Sequence, residues 1–189
     1  MCLSFGAWGK TVLVYGDSLS AAYGIAAGNG WVALLDERLQ GERIDYSVVN
    51  ASISGETTAG GVSRLPRVLA RYKPAVVILA LGGNDGLRGL PVRQMENNLA
   101  TMIAMAKKAG ARVLLVGMRV PPNYGPEYTD DFAAAFTRLA RRHKVALAPF
   151  LLEGMAENLN QFQPDRIHPD EKAQPILLDN VWKALRPLL

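Results

Sequence analysis

A chain of 189 residues with 21 lysines and arginines against 17 aspartates and glutamates, and with 49% apolar residues, has the size of one domain able to bury a core without metal or disulfide staples. Its single cysteine, Cys2, excludes an intramolecular disulfide and a cysteine-built zinc site. The formal charge of +4 is dispersed along the chain; no recognisable nucleic-acid module accompanies it, and no apolar run reaches the roughly 18 residues of a membrane span.

The first segment, Cys2-Leu3-Ser4-Phe5-Gly6-Ala7-Trp8-Gly9, is apolar or small and reads as the tail of a secretory signal, which sets the folded domain at 10–189. A β-branched run, Thr11 to Tyr15, then empties into Gly16-Asp17-Ser18-Leu19-Ser20. A helix is predicted over Trp31 to Leu39, and a second strand, Tyr46 to Asn50, runs into Ala51-Ser52-Ile53-Ser54-Gly55. The next helix covers Thr58 to Tyr72, with Pro66 expected to kink it or to move its start. Strand three, Ala75 to Leu81, leads to Gly82-Gly83-Asn84-Asp85-Gly86.

After it, Met95, Leu99, Met102, Ile103 and Ala106 recur at helical spacing and Gly110 stops the pattern; the methionines are core packing. Strand four, Arg112 to Met118, precedes Arg119-Val120-Pro121-Pro122-Asn123-Tyr124-Gly125. A helix over Asp130 to Arg142 ends in Arg141-Arg142-His143-Lys144, where cations complement the carbonyl end of the helix. Strand five is Lys144 to Ala148, and a last helix, Glu171 to Leu185, follows a loop holding Asp165-Arg166-Ile167-His168.

Strands and helices in alternation, each strand nearly continuous in apolar character, predict a three-layer α/β/α sandwich around a five-stranded parallel sheet. In such sheets ligands bind beyond the carboxyl ends of the strands, and the unusual residues all fall there. A serine hydroxyl becomes a nucleophile when an imidazole held by a carboxylate takes its proton. Ser18, His168 and Asp165 supply those three groups. Gly16 lets the chain turn sharply after strand one, and a helix starting beyond Ser18 would aim N–H groups at developing negative charge. Gly55 offers an unobstructed N–H and Asn84 a side-chain amide for a tetrahedral oxyanion.

Each residue also has a plainer role. Gly-Asp-Ser is common in turns, Gly55 and Asn84 suit turns after their strands, and His168 could be a core, surface or metal-binding histidine. A metal site at Asp165-x-x-His168 lacks a third ligand, since His143 falls in the basic helix end. Asp17 and Asp85 are alternative orienters of the imidazole, or else organisers of local turns. The Gly-x-Ser-x-Gly elbow and the phosphate-loop and dinucleotide signatures are absent.

Gly16-Asp17-Ser18-Leu19-Ser20, Gly55 after Asn50-Ala51-Ser52-Ile53-Ser54, Gly82-Gly83-Asn84-Asp85 and Asp165-x-x-His168 together resemble the four blocks of the SGNH (GDSL) hydrolases, on a flavodoxin-like sandwich. Gly83 to Gly89, the Pro121-x-Asn123-Tyr124-Gly125 loop and Ile167-His168-Pro169 are similar to the bacterial thioesterase I, lysophospholipase L1 and arylesterase group within them. The resemblance implies Ser18 as nucleophile, His168 as base and then acid, Asp165 as orienter, and Ser18 N–H, Gly55 N–H and Asn84 as the oxyanion hole. It implies no metal or organic cofactor, export to the periplasm, and hydrolysis of acyl thioesters, aryl esters and lysophospholipids; a monomer is expected. It also implies that Gly86, Leu87, Arg88, Gly89, Leu90 and Pro91 form a mobile loop over an acyl groove, opposite Val120 and Pro121. A rival enzyme is a carbohydrate O-acetylesterase with a small polar acyl pocket. A non-enzymatic flavodoxin-like binding module would leave Ser18, Asn84, Asp165 and His168 together by accident.

Overall fold

The structure, a computed structural model, describes residues 10–189; the signal-like segment lies outside them. Five strands, β1 (Lys10–Gly16), β2 (Tyr46–Asn50), β3 (Val76–Ala80), β4 (Arg112–Val116) and β5 (Ala146–Ala148), form one sheet in the order β2-β1-β3-β4-β5. Every pairing is parallel, with Val12 opposite both Val48 and Val76.

Alternation along the strands divides the core in two. Val12, Val14, Val76, Ile78, Leu114 and Val116 are buried against α1 (Trp31–Gly41) and α6 (Gln174–Leu185). Leu13, Tyr15, Val77, Leu79, Val113 and Leu115 are buried against α2 (Thr58–Tyr72), α4 (Val92–Lys108) and α5 (Pro126–His143). This is the flavodoxin-like order, in which β1 leads to a helix on one face and β3 to helices on the other. Such a divergence opens a crevice between their carboxyl ends. Ser18 and Asn84 follow those two strands.

Several boundaries differ from expectation for local reasons. Lys144 is not the start of β5: it adopts a left-handed conformation (φ 52°) that caps α5, with Val145 N–H returning to the Ala140 carbonyl, so the strand begins only at Ala146. β3 and β4 are shorter than predicted, β4 ending at Val116 before Gly117 turns to pair with Ala148. α2 neither breaks nor starts late at Pro66 but runs through it. α5 starts at Pro126, whose missing N–H costs nothing in a first turn. A 3-10 turn, Glu171–Ala173, precedes α6 where one continuous helix was expected. The short helix α3 (Gly83–Leu87) stands where Asn84 suits a turn; two glycines in five residues weaken any helical signal.

Candidate active site

No regular helix takes up directly after Ser18: the first α-helix, α1, starts at Trp31 as expected, behind a 3-10 turn at Ala27–Asn29. Instead the chain makes a tight turn, with Ala21 N–H bonded to the Asp17 carbonyl at 2.9 Å, and reverses through left-handed Ala22 and Gly24. Gly16 is required there for space rather than for an unusual φ. A Cβ on it would stand 2.7 Å from Ser20 Oγ and 3.0 Å from the Ala80 carbonyl oxygen, so the nucleophile-bearing turn presses directly against β3.

Ser18 Oγ lies 2.9 Å from Nε2 of His168, and Nδ1 of the same ring lies 2.7 Å from Asp165 Oδ2. The other carboxylate oxygen, Oδ1, accepts the N–H groups of Ile167 and His168 at 2.9 and 3.0 Å. Asp165 therefore shapes its own loop as well as facing the imidazole. The His168 N–H bond foremost, with that of Ile167 and the imidazole itself, holds its carboxyl down at about 2 although burial pushes the other way. It is an anion throughout the neutral range, and an anion facing Nδ1 keeps the proton there and leaves Nε2 free to accept one from Ser18.

Two residues that spacing does not mark steady this line. The Tyr23 ring lies against the His168 ring, centroids 4.5 Å apart. Gln163 donates from Nε2 to the Tyr23 and Pro169 carbonyls at 2.8 and 3.2 Å, while its N–H bonds the His168 carbonyl at 2.8 Å. The turn carrying Ser18 and the loop carrying His168 are thus stitched together, with Leu19, Ala22 and Ile25 lining a narrow cleft beside them.

Asp17 and Asp85 are turn organisers, not orienters. Asp17 accepts Leu19 N–H at 3.1 Å, and Asp85 accepts Thr58 N–H at 2.9 Å, fixing the start of α2 to α3. Asp17 is 4% exposed, and burial pushes its carboxyl from the ordinary 3.8 up to about 6, against the Leu19 N–H. A raised carboxyl favours the folded state most when protonated, below pH ~4, and that contribution is lost as pH rises through about 6, a total of roughly 3 kcal/mol. Asp17→Asn is therefore expected to gain on the parent as pH rises. Thermal unfolding at pH 4, 5.5 and 7.5 checks this; a difference in Tm that stays flat or shrinks with pH contradicts it.

Neither the Ser18 N–H nor the Gly55 N–H is taken up by an acceptor among the described residues. Gly55 adopts φ +78° on an exposed turn, a conformation that favours glycine. The Asn84 amide, at the start of α3, donates to the Glu56 carbonyl at 3.0 Å and has Asp17 Oδ2 at 3.5 Å.

The segment Gly86 to Pro91 divides. Gly86 closes into α3 and is buried with Val120: a Cβ on Gly86 would meet Val120 Cγ1 at 2.4 Å. These two form a floor beneath the surface. Leu87, Arg88, Gly89 and Pro121 are exposed, and Leu90 is half-buried. The loop is tied at three points, by Tyr124 Oη to the Leu87 carbonyl (2.7 Å), Tyr128 Oη to the Leu90 carbonyl (2.8 Å) and Arg88 Nη2 to the Gly55 carbonyl (3.2 Å).

A serine, an imidazole and a carboxylate stand in one hydrogen-bonded line at the carboxyl edge of an all-parallel sandwich, an arrangement suited to ester hydrolysis through a serine. The chain belongs to the GDSL-like lipase/acylhydrolase family, whose model matches residues 14–175. It is 54% identical over 180 residues to the esterase TesA of Pseudomonas aeruginosa, covering 95% of this chain and 90% of that protein. Against thioesterase 1/protease 1/lysophospholipase L1 of Escherichia coli it is 43% identical over 179 residues, covering 95% and 85%. A crystal structure of TesA superposes with a TM-score of 0.93 at 54% identity, covering 95% of this chain and all of that one.

Proposed function

We propose that this protein hydrolyses acyl thioesters, aryl esters and lysophospholipids through a Ser18–His168–Asp165 triad. The observation that carries the reading is the 2.9 Å approach of Ser18 Oγ to an imidazole nitrogen whose partner nitrogen faces an ionised carboxylate. Nε2 takes the hydroxyl proton as Oγ attacks the carbonyl carbon. The Ser18 and Gly55 N–H groups and the Asn84 amide stabilise the oxyanion. Collapse expels the thiol or alcohol, which receives the proton from His168, and leaves an acyl-enzyme. Water then gives a proton to His168 as it attacks the acyl carbon; the second tetrahedral intermediate collapses by breaking the bond to Ser18 Oγ, which takes the proton back from His168 as the acid leaves. The relatives' names, an esterase and a thioesterase/lysophospholipase, support this range of leaving groups. The protein works as a monomer in the periplasm, a placement that rests on the family resemblance.

The acyl chain lies across Leu87, Leu90 and Pro121, with Arg88 and Gly89 at the rim and Gly86 and Val120 beneath. Each buried methylene contributes about 0.8 kcal/mol, roughly fourfold in kcat/KM. Leu87→Ser is expected to lower kcat/KM for C12 p-nitrophenyl esters about tenfold relative to C4. A profile from C4 to C16 unchanged by the substitution removes the groove. Acetylated xylan measured beside acyl-CoA and aryl esters separates the carbohydrate O-acetylesterase alternative, which predicts the faster turnover on xylan.

A further inference from the structure

Gly55 and Asn84, the donors assigned above besides the Ser18 N–H, meet at one residue. Asn84 Nδ2 bonds the Glu56 carbonyl at 3.0 Å, and Gly55 is the preceding residue, so the backbone at Glu56 governs both. Glu56 is itself fixed by its side chain, which is 13% exposed: Oε2 accepts Arg64 Nε at 3.0 Å. Its Oε1 occupies space over Gly60, where a Cβ would stand 2.0 Å from it. The Arg64 guanidinium also reaches the opposite end of the same loop, Nη1 donating to the Ala51 carbonyl at 2.8 Å.

The bracket has a rigid seat. The guanidinium lies over the fully buried Tyr15 ring, 4.3 Å from its centroid, and Tyr15 Oη bonds the Gly61 carbonyl on α2 at 2.7 Å. Arg64 is thereby anchored to β1 just before the Ser18 turn and to the helix that follows the Gly55 loop. Its Nη2 is buried without a partner among the described residues. That is a cost an apolar side chain of similar length avoids, so space filling alone does not account for an arginine here. A planar fork with donors at fixed angles is what spans the Glu56 carboxylate and the Ala51 carbonyl together.

We infer that Arg64 is a positioning residue for the oxyanion hole, setting the Gly55 N–H and the Asn84 amide through its bracket on Glu56 and Ala51. The inference rests on the reading of Gly55 and Asn84 as oxyanion donors. Donors aimed at a developing oxyanion act mainly in the transition state, so displacement by a fraction of an ångström lowers kcat while leaving KM nearly alone.

The test uses p-nitrophenyl butyrate, with active sites counted by phosphonate titration run to completion, which the slower-labelling variants also reach, so that misfolded protein drops out. Asn84→Ala is expected to lose about 100-fold in kcat. Arg64→Met is expected to lose roughly 10- to 30-fold in kcat with KM within about twofold. Arg64→Lys recovers part of the loss, because an ammonium can serve one acceptor of the pair but not both in the fork geometry. Arg64→Met placed on Asn84→Ala is expected to cost much less than on the parent, since the two act on one target. Wild-type kcat per titrated site in Arg64→Met, or the same loss in both backgrounds, overturns the inference. Should Arg64→Met fail to fold, Glu56→Gln carries the test: a loss of about threefold or more in kcat supports the bracket, and an unchanged kcat overturns it. Wild-type kcat in Asn84→Ala overturns the oxyanion reading, and the inference falls with it.

Discussion

Ser18→Ala is expected to lower kcat/KM on esters and thioesters by about a million-fold, the scale seen when a triad nucleophile is removed. Among the described residues no neighbouring hydroxyl is placed to substitute. Ser20 Oγ is buried without a partner behind Gly16, and Ser52 Oγ accepts the Gly16 N–H at 3.1 Å. Neither reaches Nε2 of His168, whose hydrogen-bond partner is Ser18. The fold loses only one partly buried hydrogen bond, about 1 kcal/mol, so Tm should fall by no more than a few degrees. Steady-state kinetics beside thermal unfolding checks both halves. A variant that keeps more than about 1% of the parent's turnover contradicts the nucleophile assignment.

Asp165→Asn is expected to cost about 1,000- to 10,000-fold in kcat without unfolding the loop. The substitution keeps an oxygen to accept the Ile167 and His168 N–H groups, which Oδ1 now binds. At the Oδ2 position, 2.7 Å from Nδ1, it places an NH2 group. Two donors cannot face each other, so the ring changes tautomer and presents Nε2–H to Ser18, which then has no base. The linkage also has a sign. Because the Asp165 carboxyl is depressed to about 2, its contribution to stability is present above pH ~4 and is lost only as pH falls through 2. Asp165 therefore does not set the acid limb of activity near neutrality. An Asp165→Asn enzyme within tenfold of the parent would show that the carboxylate is dispensable.

What could be read from the chain was whatever repeats or terminates locally. Nearly continuous apolar strands such as Val12 to Tyr15, helical spacing from Met95 to Ala106, and punctuation by Gly110 placed the layers. The strand ends then placed Ser18, Asn84 and the Asp165–His168 loop on one edge. The residues that escaped notice make contacts far apart in sequence. Gln163 serves the Tyr23 carbonyl and Arg64 spans Ala51 and Glu56, and nothing in periodicity or spacing distinguishes either from an ordinary surface residue. A loop valine between Arg119 and Pro121 carries no sign of burial, yet Val120 is buried and belongs to the same apolar cluster as Phe132 of α5. The single helical turn at Asp17–Ala21 is ended by a reversal through Ala22, a left-handed alanine that no propensity would suggest.

The activated serine is the centre of this account, and a fluorophosphonate tests it most directly, since it forms a stable bond only with a hydroxyl poised beside a base and an oxyanion hole. Intact mass and peptide mapping after brief exposure at neutral pH should show one adduct per chain, on Ser18, and none on the Ser18→Ala protein. An adduct on any other residue, or an unmodified chain, would contradict the triad.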